Sequence, residues 1–400
     1  MRNGRGRVAF GALMFLFSLL AVFRAPTYHL WMLALMATEW GHWLWAPSLL
    51  PLAPGWTRTA GGRVGAGLGL AAALLFLSPL VRAERQFGQA SDLGAALQGE
   101  FGKNRPFDLP NAPYRPAPLV IGDLWFGVRT PPVREQALTY VQRPGGDLTL
   151  ELYRYVKPRP DGLLRIDRVD PMPIVLVVHG GSWRSGDRLE MADLSRYLAA
   201  RGYGVASIDY ALAPAAKFPG PIEDVHAALM FLRAHAKDFD LDPNRVVLLG
   251  RSAGSQIALA AAAERLPGVR GIIDFYGPND MRLAWTVPGS PLILDTHLLL
   301  RQYMGGPPAE LPALYDEASA LGRADKNFPP TLMIHGGRDE LVWPVHELRL
   351  SARLTKLGVP HYFLDMPWAT HGCDYVFAGP CGQISTYAVE RFLAGVLHGS

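Results

Sequence analysis

Ser252 stands in Gly250-Arg251-Ser252-Ala253-Gly254, directly after the apolar run Val246-Val247-Leu248-Leu249 and directly before the Ala-rich stretch at 257–263. A strand, a Gly-x-Ser-x-Gly turn and a helix in that order lift a serine hydroxyl onto a sharp turn at a helix N-terminus. The glycines keep the turn tight and leave the hydroxyl uncrowded. A serine so placed is a candidate nucleophile for acyl transfer. That chemistry needs three further parts: a base to take the proton, an acid to orient the base, and backbone N–H groups for the oxyanion.

Each part has a candidate. The aliphatic run at 173–178 reads as a strand buried on both faces and ends in His179-Gly180-Gly181-Ser182-Trp183. A Gly-rich loop at a strand's carboxyl end can aim successive amides at one point. The oxyanion hole is therefore assigned to the amides of Gly180 and Gly181, completed by Ala253, the residue after the nucleophile. The run at 331–334 reads as another buried strand, and Asp339 follows in His335-Gly336-Gly337-Arg338-Asp339 as the candidate acid. After a short strand at 362–364, the loop Pro367-Trp368-Ala369-Thr370-His371-Gly372 offers His371 as the base. Of the other histidines, His179, His335, His346 and His361 do not follow the acid in a loop before a final helix. Asp365 and Asp374 lie too close in sequence to His371 to come from a separate strand end. Trp183, Tyr276 and Trp285 are candidate substrate contacts.

These motifs, with Asp209-Tyr210-Ala211-Leu212-Ala213-Pro214, resemble those of the hormone-sensitive-lipase-like esterases and their feruloyl-esterase-like (BD-FAE-like) bacterial relatives. The resemblance runs from about residue 138 to the C-terminus. It implies an α/β-hydrolase fold, hydrolysis of carboxylic esters through an acyl-enzyme, and no metal or organic cofactor. Ser182 stands where the lipase-like branch has a third glycine and Ala215 where it has an acidic residue, which tilts the match toward the feruloyl-esterase-like branch. That branch also includes formamidases, so an amidase or formamidase on the same triad is the neighbouring reading. A non-catalytic binding module on the same fold is the alternative of a different class.

Strand and helix patterns alternate through 138–275: strands at 138–141, 148–155, 204–208 and 271–275, helices at 189–200 and 222–234. That alternation predicts a mostly parallel sheet with helices on both faces, filling 120–400. Residues 279–328 form either a small cap over the site or helices packed on the sheet.

Three apolar runs precede this domain, at 8–23, 28–52 and 64–81, which makes three transmembrane helices the leading count for a membrane region at 1–82. A signal peptide is the rival for the first run, although Arg24-Ala25-Pro26 is a poor cleavage site. Glu39 and His42 are costly in hydrocarbon unless they face a protein interior, so the second run is alternatively short, tilted or re-entrant. Arg2, Arg5, Arg7, Arg58 and Arg63 flank the runs on one side, against Arg24, Arg82 and Arg85 on the other; the larger group marks the cytoplasmic side, which puts the catalytic domain outside the inner membrane. Residues 83–119 read as a linker: 83–102 is a mixed polar stretch able to form a short helix, and the Pro-rich 104–118 reads as extended. Cys373 and Cys381 are the only cysteines, both in the loop after His371, and an exterior location would allow a disulfide between them; free thiols are the alternative. A net charge of +4 without a basic tract argues against nucleic acid as a partner. The expected partners are a small-molecule or lipid-like ester and a membrane.

Overall fold

The computed structural model describes residues 4–88, 90–102, 113–143, 145–155, 157–158, 164–165 and 171–398. Most of the Pro-rich tract at 104–118 lies outside the described residues. Eight strands form one sheet: β1 (Val133–Val141), β2 (Leu148–Tyr155), β3 (Met172–Val178), β4 (Gly204–Ile208), β5 (Leu241–Arg251), β6 (Val269–Phe275), β7 (Thr331–Gly336) and β8 (His361–Met366). Their spatial order is β1-β2-β4-β3-β5-β6-β7-β8, with β2 antiparallel to both neighbours and all later pairs parallel.

The central strands are apolar throughout because helices cover both faces. Alternate residues divide between two cores: Ile174, Leu176, Val246 and Leu248 pack on one face, Val175, Val177, Val247 and Leu249 on the other. The α/β-hydrolase fold expected from the motifs is therefore present, with the loops that carry Ser252, Asp339 and His371 all leaving the carboxyl ends of parallel strands.

The N-terminal region holds α1 (Gly4–Leu19), α2 (Tyr28–Glu39), α3 (Gly41–Ser48) and α4 (Ala60–Phe87). Among the described residues only α4 is long and apolar enough to cross a membrane: its 28 residues rise ~42 Å. Helices α1 and α4 run side by side in the same direction, with Gly4 beside Gly61, Gly11 beside Gly65 and Phe17 edge-on to Phe76. Helix α3 returns against them, with Gly41 on Phe76 and Ser48 on Gly69. Glycine at these contacts lets the backbones touch, the usual device of helices that pack within a bilayer.

The 28–52 run is not one span. It breaks at Trp40 into helices of 12 and 8 residues, each too short to cross a bilayer, and ends in a turn containing Pro51. The break serves the two polar residues. Glu39 Oε2 accepts from Cys381 N at 3.0 Å, and His42 Nε2 lies 2.8 Å from Leu124 O, so both face the globular domain. The stretch assigned as a linker is also structured. Helix α5 (Ala90–Phe101) packs Leu93, Leu97 and Phe101 into the domain core, with Phe101 edge-on to Phe392 of the terminal helix Pro380–His398. Those three residues recur every fourth position on one face, a helical stripe hidden in a polar context. Helix α6 (Ile121–Phe126) follows and meets α3 through the Trp43–Trp125 pair.

A side chain at Gly65 would place its first carbon 2.5 Å from the Arg7 carbonyl. Gly65→Val is expected to destabilise the α1–α4 contact by about 1–3 kcal/mol, read as a lower melting temperature of the full chain in detergent.

Candidate active site

Ser252 sits between β5 and the helix Ala253–Ala262, with φ 52° and ψ −118°. The flanking glycines make that turn possible. A side chain at Gly254 would start 2.2 Å from the Val178 and His179 carbonyls, and one at Gly250 would start 2.3 Å from the Ser255 Cα. The helix start is thus pressed against the end of β3, which forces the serine outward at the helix's positive pole.

Three residues from three strand ends converge. His371 Nε2 lies 2.9 Å from Ser252 Oγ, and His371 Nδ1 lies 2.6 Å from Asp339 Oδ2. Asp339 is fully buried, and its other oxygen accepts from Leu341 N and Val342 N at 2.8 and 2.9 Å. Burial alone would raise this carboxyl, but the His371 and His335 rings beside it hold it well below the usual carboxylate range. A hydroxyl, an imidazole and an ionised carboxylate in this chain can pass one proton from serine to histidine while the carboxylate holds the ring. The rival acids go elsewhere. Asp365 is exposed, and Asp374 takes the Arg251 guanidinium and the Tyr276 hydroxyl.

The Gly180-Gly181 loop lies against the serine: a side chain at Gly180 would start 3.6 Å from Ser252 Cβ. Gly181 has φ 94°, a conformation that favours glycine. The amides of Gly180, Gly181 and Ala253 donate to no acceptor among the described residues. They are free to serve an oxyanion.

Two cavities share Ser252 in their walls. An inner one of about 40 Å³ is walled by Trp183, Ala284, Val287, Leu299, Trp343 and His346, with Ser252 and Ala253 at its base. Burial lowers the His346 pKa to about 3, so its ring is neutral there. The outer one, about 410 Å³, is lined by His371, Tyr276, Leu294, Leu341 and, from the N-terminal region, Tyr28 and Trp31. Of the candidate substrate contacts, Trp183 and Tyr276 face these cavities, Tyr276 with its ring 4.4 Å from that of His371. Trp285 does not. It turns away onto His297 and Tyr315, and its neighbours Ala284 and Val287 take the cavity side. Residues 281–323 form four short helices, two of which supply cavity walls. Cys373 and Cys381 are joined in a disulfide directly after His371.

Two features go beyond the residues singled out from the sequence. Tyr28 and Trp31 reach the site only through the fold, Trp31 Nε1 donating to His371 O at 3.2 Å. His335 stands behind the acid, its Nε2 3.1 Å from Asp339 Oδ2 and its Nδ1 2.9 Å from Glu347 Oε2, all fully buried. The His-Gly-Gly-Arg-Asp spacing carried that signal, since it brings a strand-end histidine and an acid four residues later to one turn.

Ser252, Asp339 and His371, each at the carboxyl end of a parallel strand, are arranged as in the α/β-hydrolases. The BD-FAE family profile matches residues 164–354, and the chain is related to that family. It is 32% identical over 240 residues to Esterase LipC of Mycobacterium tuberculosis, covering 56% of this chain and 58% of that protein. It is 29% identical over 254 residues to the probable carboxylic ester hydrolase LipM of the same organism, covering 60% and 57%. The match thus spans under two thirds of the length of these relatives. Among solved structures, a bacterial heroin esterase superposes with a TM-score of 0.56 at 23% identity, over 78% of this chain and 99% of that one. A carboxyl esterase from Tuber melanosporum gives 0.55 at 21%, over 78% and 100%. At these identities the likeness is one of fold.

Burial lowers the His335 pKa, but Glu347 and Asp339 on either side outweigh it and raise it well above the ordinary value. A raised histidine contributes stability that is whole below its unfolded pKa of about 6.5 and fades as pH rises toward the folded value. The depressed Asp339 contributes above about pH 3.9 and loses its contribution as pH falls further. The melting temperature should therefore decline above about pH 6.5, and His335→Gln should flatten that decline in a pH series from 5 to 9.

Proposed function

We propose that the chain is a membrane-anchored serine hydrolase that cleaves carboxylic esters through an acyl-enzyme. The unbroken hydrogen-bonded chain Ser252 Oγ, His371 Nε2, His371 Nδ1, Asp339 Oδ2 carries this reading. The Ser252 oxygen attacks the ester carbonyl as its proton moves to His371 Nε2. The amides of Gly180, Gly181 and Ala253 take the negative charge that forms on the carbonyl oxygen. The carbon–oxygen bond to the alcohol breaks, and the alcohol leaves with the proton from His371. Water then repeats the sequence, His371 taking its proton, and the carboxylic acid departs from Ser252. Esterase LipC and the probable carboxylic ester hydrolase LipM support ester chemistry by their names and sequence likeness.

Ser252→Ala is expected to lower turnover of nitrophenyl esters on the order of 10⁶-fold, and Asp339→Asn about 10⁴-fold by leaving His371 in the wrong tautomer. Ester hydrolysis above one part in a hundred of wild type by a folded Ser252→Ala protein, monitored by nitrophenol release, would overturn the reading.

Anchoring is supported by α4 and by the placing of charge. Arg7 caps the turn at the far pole of the bundle, donating to Pro51 O at 2.9 Å and Ala53 O at 2.7 Å, with Arg58 and Arg63 on the same pole. The globular domain packs at the opposite pole, where Phe87 of α4 meets Trp368. Positive residues stay cytoplasmic, so the catalytic domain faces outward from the inner membrane, where the Cys373–Cys381 disulfide is stable. A phosphatase reporter fused after Ser400 should be active only in the exported compartment, and a cytoplasm-only signal would reverse the topology.

A further inference from the structure

The two cavities at Ser252 differ in which half of an ester they can take. The leaving alcohol must receive its proton from His371 Nε2, so it departs on the side where His371 forms the wall. That is the outer cavity of about 410 Å³. The acyl group is left for the inner cavity, which His371 does not line. At about 40 Å³ against about 410 Å³ for the outer cavity, it is the smaller of the two and suits the shorter half of the ester. The inner wall is closed by Trp183, which stacks on Tyr303 at 4.7 Å and donates through Nε1 to Gln256.

The outer cavity is walled on one side by the N-terminal apolar region. Tyr28 and Trp31 of α2 face into it, and the chain leading to them is fastened down. Tyr28 N donates to Leu292 O at 3.4 Å, Ala25 N to Glu340 Oε1 at 2.7 Å, and Arg24 to Gly337 O at 3.0 Å. Around the lip, exposed apolar side chains stand among the exposed Arg24, His29 and Arg184. Phe23, Tyr28, Met32 and Leu33 are exposed, as is Leu292, 70% accessible, on the facing loop. Phe23 lies just past the end of α1, which runs parallel to the membrane-length α4 and ends at the same pole. The mouth of the leaving-group cavity therefore opens where the helices that would cross the bilayer emerge from it.

We infer that the substrate is an ester of a short acyl group with a bilayer-borne alcohol, whose hydrocarbon stays in the membrane while its ester enters past Tyr28 and Trp31. The inference rests on the serine-hydrolase reading and adds to it which half of the ester is long. The occupant of the lip is the lipid surface, because that lip is continuous with the bundle that carries α4.

The test uses the full chain in phosphatidylcholine vesicles and two esters that both partition into them. Hexadecyl acetate carries its long chain on the alcohol, methyl hexadecanoate on the acyl group, and p-nitrophenyl acetate is the soluble control. Hexadecyl acetate should be hydrolysed at least about tenfold faster than methyl hexadecanoate, a margin typical of a pocket excluding extra methylenes. Met32→Glu, which puts a charge on the lip, should reduce hexadecyl acetate turnover by a larger factor than p-nitrophenyl acetate turnover. Equal or reversed rates for the two long esters would overturn the inference. So would hydrolysis of p-nitrophenyl acetate alone, and in that case the serine-hydrolase reading stands. No hydrolysis of any of the three would overturn that reading and this one with it.

Discussion

The site depends on one close approach: the first turn of the helix Ala253–Ala262 against the carboxyl end of β3. Gly254 has no room for a side chain beneath the Val178 and His179 carbonyls, and Gly250 has none over Ser255. Because the backbones touch there, the connection between β5 and the helix has no slack, and Ser252 is held at a positive φ. A non-glycine residue so held costs about 1–3 kcal/mol, which the surrounding sheet and helix must offset by burial. The same contact brings the Gly180-Gly181 loop beside the serine, because that loop begins where β3 ends. Ser252 and the proposed oxyanion donors thus share one origin in packing.

Charge then holds the loops together. Arg251, the residue before Ser252, pairs with Asp374, three residues after His371, and with Glu190 at 3.1 Å. Tyr276 gives its hydroxyl to the same Asp374 and lays its ring beside His371. Asp339 is shared between two histidines and two backbone amides, so its carboxylate has little freedom to turn. A buried charge without a partner would cost several kcal/mol; here the partners also place the reacting groups.

How much of this could be read beforehand follows from how local each determinant is. Ser252, Asp339 and His371 were legible because each stands in a loop after an apolar run, and their order along the chain carries over directly to the strand ends. The sheet was legible for the same reason, although β1 and β5 begin about five residues earlier than their apolar centres suggested. The break at Trp40 was legible only as an alternative: the cost of Glu39 and His42 in hydrocarbon pointed to a short or re-entrant segment facing protein, but their partners Cys381 N and Leu124 O lie far along the chain. Trp285 misled because an aromatic residue in a cap reads as a pocket wall, whereas the helix Met281–Thr286 turns Ala284 inward and Trp285 outward. Tyr28 and Trp31 lie more than two hundred residues from Ser252, and nothing in their spacing announces the contact.

That contact changes what the N-terminal region is for. A tether would need only length and hydrophobicity, and it would meet the catalytic domain through a slack linker. Here the segment after α1 is bonded to both loops that position the proton-transfer groups. Arg338, next to the acid, donates to Leu20 O at 2.9 Å and to Phe23 O. Glu340 accepts from Ala25 N and from Thr370, the residue before His371. Trp31 closes the circuit on His371 O. These bonds run to backbone atoms or between buried side chains, and they tie the bundle's end to the two loops. On the proposed topology, the orientation of α1 and α4 in the bilayer then determines where the outer cavity opens. The N-terminal region is accordingly part of the wall of the cavity at Ser252, and on the proposed reading the residues that fasten it to the globular domain also shape the way in.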